Sequence, residues 1–136
     1  MRTSTRLTLP FLYALLAAGC SNSNDNFPKD YIGFERKADV HSYDTNHEEE
    51  TVTVKIVAGD KQDKDRKLTL TSNQTPNVFK IKDPNPVIHK GKKSVKVNVT
   101  IYPKKINWEQ RIIHLICKPD GKDAKVSEMT IRLQKK

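Results

Sequence analysis

Apolar residues fall at every second position through much of the chain beyond residue 30. Thr51-Val-Thr-Val-Lys-Ile-Val57 sets Val52, Val54 and Ile56 on one side and Thr51, Thr53 and Lys55 on the other. Lys67-Leu-Thr-Leu-Thr71 repeats the pattern with Leu68 and Leu70, and Met129-Thr-Ile-Arg-Leu133 alternates again. The clearest run is Ser94–Tyr102, where Val95, Val97, Val99 and Ile101 share one face. A period of two among β-branched residues belongs to a strand with one face buried. Tyr31–Phe34 opens the series, and Val78–Ile81 and Val87–His89 are shorter runs of the same kind. Arg111-Ile-Ile-His-Leu-Ile-Cys-Lys118 differs in being apolar on both sides, which predicts a central strand covered on each face.

Turn formers punctuate these runs: Ala58-Gly-Asp60, Asp83-Pro-Asn-Pro86, Lys90-Gly-Lys92 and Lys118-Pro-Asp-Gly121. His41–Glu50 reads as a hydrophilic loop between the first and second strands. No amphipathic helix of ten or more residues follows Cys20. About seven short strands over residues 31–136 predict an all-β, immunoglobulin-like β-sandwich.

The front of the chain has a different pattern. Arg2 and Arg6 precede the apolar stretch Leu7–Ala18, 12 residues long and well short of the ~20 that span hydrocarbon as a helix. A basic start, a short apolar run and small residues describe a secretory signal. Ala17-Ala18-Gly19 then meets Cys20. Small residues at 17 and 19 also suit ordinary signal cleavage, which would leave a free Cys20.

The junction resembles a bacterial lipobox, departing from it in having Ala17 where an aliphatic residue is usual, with Leu16 one step earlier. That resemblance implies a diacylglycerol on the Cys20 thiol, and two or more acyl chains anchor a protein stably. Ser21 is not the Asp associated with inner-membrane retention, so an outer-membrane address is expected. The expected organisation is a signal peptide over 1–19, a lipidated Cys20 with a polar tether to residue 30, and a β-sandwich over 31–136.

Composition narrows the classes. The chain has 136 residues, with 25 Lys or Arg against 16 Asp or Glu and a formal charge of +9. With 35% hydrophobic and 30% charged residues it is not a polytopic membrane protein. Two cysteines make no disulfide framework, and lipidation of Cys20 leaves Cys117 without a partner in the chain. Nucleic acid suits the basic charge but is disfavoured by export.

Three segments carry a further resemblance: Val52–Asp60 leading to Asp63–Leu70; Ile88–Ile101 with its Gly-Lys-Lys-Ser-Val-Lys-Val-Asn-Val core; and Trp108–Ile116 with Lys122–Val126 behind it. Together they look like the Calx-beta-like sandwich domains of Bacteroidetes surface lipoproteins, some of unknown function. The resemblance implies a fold and a bacterial surface location, and contributes no catalytic residues. Calx-beta domains hold calcium with acidic loop residues. Here the corresponding loops carry Lys104, Lys105, Lys122 and Lys125, which argues against calcium.

Candidate chemistry is sparse. His41, Asp44 and His47 recur every third residue and offer zinc-type ligands, but a flexible loop would not fix their geometry, so no metal is expected. Lys96, Asn98, Thr100 and Tyr102 should project outward from one strand as a polar platform, with Trp108 nearby as a ring that could stack on a sugar. Cys117 and His114 read as packed strand residues. There is no nucleophile triad order, phosphate-binding Gly loop or His-Glu-x-x-His motif, so no enzyme and no cofactor is expected. The sequence reading is a non-enzymatic, membrane-anchored interaction module with a glycan or envelope-protein partner. The alternatives are a structural envelope component or metal capture.

Overall fold

The computed structural model describes residues 27–74 and 77–136. The expected signal over 1–19 and the expected anchor at Cys20 lie outside the described residues. Nine strands form among the described residues: β1 (Ile32–Phe34), β2 (Ala38–Tyr43), β3 (Glu50–Ala58), β4 (Arg66–Thr71), β5 (Phe79–Ile81), β6 (Val87–Ile88), β7 (Ser94–Ile101), β8 (Ile112–Pro119) and β9 (Ser127–Lys135). The first sheet has the order β1-β3-β7-β5 and the second β2-β9-β8-β4-β6. All neighbours are antiparallel except β2, which runs parallel to β9. The result is a two-sheet immunoglobulin-like sandwich.

The core follows from the alternation. Val52, Val54 and Ile56 of β3 and Val97, Val99 and Ile101 of β7 face Leu68 and Leu70 of β4, Ile113, Leu115 and Cys117 of β8, and Met129, Ile131 and Leu133 of β9 in one buried cluster. Burying each large aliphatic side chain contributes ~1.5–3 kcal/mol before entropy is counted. The β3–β7 register pairs Val52 with Val99 and Val54 with Val97, so one strand's inward set sits beside the other's. A slip of one residue would turn both sets to solvent.

The sheets also meet through Ser127, the buried polar residue of the core layer. Its Oγ accepts the Phe34 N–H at 3.0 Å and the Lys37 ammonium at 3.3 Å. A Cβ on Gly33 would collide with this serine, so the close approach requires glycine there.

Two expectations are corrected. Residues 38–43 are a strand, not part of a loop. Their alternation is inverted, with Asp39, His41 and Tyr43 turned inward and Val40 out, so hydropathy alone did not mark them. Second, β8 is central in its sheet but is not covered on both faces. Ile112 is 52% exposed, and His114 and Ile116 are half-buried, because no element of the described residues packs over that side.

Turns gather at the two ends of the sandwich. At one end lie 27–31, 59–65, 89–93 and 119–126, joined by Gly59 N–H to Tyr31 O at 2.9 Å, Gly91 N–H to Gln62 O at 2.9 Å and Asp120 N–H to Lys67 O at 3.0 Å. Phe27 stacks on Tyr31 at 4.8 Å between ring centroids, and Tyr31 N–H donates to Pro28 O at 3.0 Å. A Cβ on Gly59 would run into the Pro28 carbonyl. At the other end lie 44–49, 102–111 and the last residues of β9, including a 3-10 turn at Pro103–Lys105.

Candidate interaction surfaces

The outer face of the first sheet carries most of the expected platform. Lys96, Asn98 and Thr100 point away from the core on β7, opposite Lys55, Thr53 and Thr51 of β3. Several of the polar groups on this face have partners. Thr53 Oγ1 donates to Asn98 Oδ1 at 2.8 Å, Asn98 N–H donates to Asp83 Oδ2 at 2.9 Å, and Lys55 pairs with Glu35 at 3.5 Å.

Tyr102 continues past the strand and lies under the Lys105 ammonium, 5.1 Å from the ring centre. Trp108 stands apart from β7, beyond the 3-10 turn. It is 78% exposed, with the Arg111 guanidinium stacked 4.5 Å from its ring centre. The ring contact holds one indole face and leaves the side chain at the tip of the β7–β8 connection. The five expected ligand-face residues are thus split between a sheet face and a loop tip.

The His41–Glu50 stretch is built around a residue the sequence did not single out. His41 Nε2 is 2.8 Å from Glu50 Oε1, and His47 Nδ1 is 2.7 Å from Glu50 Oε2. Asp44 contributes its backbone N–H to Glu50 Oε2 at 2.9 Å, while its carboxylate takes the Asn46 N–H at 2.8 Å within its own turn. Both imidazoles therefore converge on a carboxylate. Partial burial pushes the Glu50 carboxyl up, but the Asp44 N–H and the two imidazoles outweigh it and hold it down at about 2. The arrangement ties the end of β2 to the start of β3, across the two sheets. Among the described residues, no group of three or more His, Cys, Asp or Glu is placed to hold a metal ion.

Cys117 is buried in the core, and desolvation raises its thiol to about 11, which keeps it protonated and unreactive near neutral pH. His114 belongs to the outer face of β8, not to the packed interior. Its Nε2 meets Glu128 Oε1 at 2.8 Å, and Nδ1 faces Asn73 Oδ1 at 3.2 Å.

The second sheet presents the surface that the alternation concealed. Ala38, Asp39 and Val40 of β2, Thr130 and Arg132 of β9, and Ile112 of β8 line an open hollow of about 580 Å³. The register places Arg132 opposite both Val40 and Ile112, so two aliphatic side chains flank one guanidinium across three strands. Val40 and Ile112 are each 52% exposed. An isolated exposed aliphatic residue means little, but two beside a concavity form an apolar patch of the kind that binds a partner. The Val40 N–H is taken by the Asp39 carboxylate at 2.8 Å. Ile112 is legible in sequence as the extra apolar residue of a doubly apolar strand. Val40 lacked any periodic context.

No family model and no curated protein matches the chain. Solved structures do share its fold. A human CEP192 ASH/PapD-like domain superposes with a TM-score of 0.57 at 11% identity, over 82% of this chain and 89% of that one. A protein of unknown function from Bacteroides ovatus gives 0.61 at 9% identity, over 77% of this chain and 45% of that one. The Escherichia coli chaperone DraB gives 0.50 at 12% identity, over 78% and 55%. This chain thus spans about half the length of the last two. The fold is that of PapD-like and immunoglobulin-like sandwiches.

Proposed function

We propose that this protein is a lipid-anchored envelope module that binds a protein partner through the hollow between β2, β9 and β8. The observation that carries this reading is the pair of half-exposed aliphatic side chains, Val40 and Ile112, set around Arg132 beside an open hollow. Such a site buries apolar area against a partner while the guanidinium supplies orientation through a charge-assisted hydrogen bond. The likeness to a chaperone fold supports a protein as the partner. The lipobox-like junction at Cys20 supports anchorage to the outer membrane.

A photo-cross-linking residue placed at Val40 or Ile112 in cells should give one adduct of constant mass. The same residue at Thr53 on the opposite sheet should give none. Adducts of equal yield from both sheets, or none from the hollow, would reject the reading.

A second reading, glycan contact, has the exposed Trp108 ring in its favour. Binding on a glycan array that Trp108→Ala abolishes, and that Val40→Asp leaves intact, would replace the protein partner with a sugar.

A further inference from the structure

The end of the sandwich at which the described chain begins is also an end rich in exposed lysines. Phe27 and Pro28 are fastened there, against Tyr31 and Gly59, so the first described residue is held at this end of the sandwich. Around this point stand Lys61, Lys64, Lys90, Lys92, Lys122 and Lys125, all exposed. Six aspartates (Asp30, Asp60, Asp63, Asp65, Asp120 and Asp123) share the turns of this end with eight lysines, so the excess of positive charge is concentrated in the 89–93 turn. Asp65 Oδ1 accepts the Lys90 N–H at 2.8 Å and faces His89 at 3.7 Å, and Asp60 Oδ1 accepts the Lys61 N–H at 2.8 Å. The 89–93 turn contains three lysines and no acid.

We propose that this turn-rich end is a docking face for anionic lipid headgroups of the membrane that carries the anchor. The inference rests on the reading that Cys20 holds the lipid. Seven residue steps separate Cys20 from Phe27, a reach of about 25 Å when fully extended. A leash of that length attached at Phe27 brings the lysines within range of headgroup phosphates, where each basic side chain adds attraction over a Debye length. Strands such as β3 run about 30 Å from one end to the other. Trp108 and the His47 turn are therefore directed away from the membrane, and the Val40–Ile112 hollow lies on the flank.

The face is tested apart from the anchor in the full chain carrying Cys20→Ser, sedimented with phosphatidylglycerol or phosphatidylcholine vesicles. Binding should favour phosphatidylglycerol. The trio Lys90→Glu, Lys92→Glu and Lys122→Glu should weaken it by about tenfold or more. The opposite-end trio Lys104→Glu, Lys105→Glu and Lys136→Glu should change it by less than about threefold, the size of a charge effect attenuated with distance. Equal losses from the two trios, or equal binding to both lipids, would overturn the proposal.

Orientation is read in the lipidated wild type reconstituted in vesicles containing brominated lipid. The protein's single tryptophan, Trp108, should be quenched little, whereas Trp108→Phe with Lys122→Trp should be quenched strongly. Stronger quenching at Trp108 would also overturn the proposal. An unmodified Cys20 in the intact mass would remove the anchor reading alone, leaving the vesicle comparison to judge the face.

Discussion

The two sheets share one core yet differ on the faces they turn to solvent. The first sheet alternates through β7 and most of β3, and part of its outward surface is paired: Thr53 with Asn98, Lys55 with Glu35. The second sheet breaks the alternation at both β2 and β8. Val40 and Ile112 are left outside, and Asp39 and His41 are turned inward. A polar face loses hydration when it is covered, whereas exposed aliphatic surface around a hollow gains free energy when covered. Local departures from the pattern are therefore the better guide to the proposed interaction site.

The comparison is broken or sharpened by four variants, in descending order of effect on stability. Leu115→Ala empties space in the layer common to both sheets and should cost about 2–5 kcal/mol in urea denaturation. Loss of structure in one sheet alone would show that the sheets do not share a cooperative core. Gly59→Ala forces a methyl into the Pro28 carbonyl and should cost about 1–3 kcal/mol, as overpacking does. It should also speed proteolysis near residues 27–31, where the turn is displaced.

Glu50→Gln probes the inverted strand. The folded carboxyl is held at about 2, below its ordinary 4.5, so its contribution is fully present above about pH 4.5 and is lost as pH falls toward 2. Because the group lies near solvent, about 1–2 kcal/mol is expected at pH 7, less than the full shift would imply. Denaturation curves of wild type and variant should converge as pH approaches 2, and a gap that stays constant with pH would exclude the charge as its source.

The smallest change in stability, within about 0.5 kcal/mol, is expected for Val40→Asp with Ile112→Asp, since both positions are exposed. The cross-linked adduct should nevertheless disappear, while Thr100→Asp on the first sheet should leave it unchanged.

The eight apolar runs became β1 and β3 through β9, because alternating β-branched residues have one favourable solution once a core is available. β2 did not show itself. Of its inward residues only Tyr43 is apolar, while Asp39 and His41 are accommodated at an edge that local periodicity cannot describe. The site residues divide in the same way. The outward projection of Lys96, Asn98 and Thr100 is a property of one strand and was legible. Glu50 as the meeting point of two imidazoles requires β2 and β3 to be brought together from different sheets, which no spacing along the chain expresses.

The amino-acid order by itself determined which segments extend, which side of each is buried and where the turns fall, since these depend on neighbours one or two residues apart. Tertiary structure decided that β2 pairs with β9 in parallel, that β8 is left bare on one side, and that Val40, Arg132 and Ile112 become neighbours. Contacts between residues as distant along the chain as Val40 and Arg132 depend on how two sheets close over a common core, and only the assembled sandwich supplies that geometry.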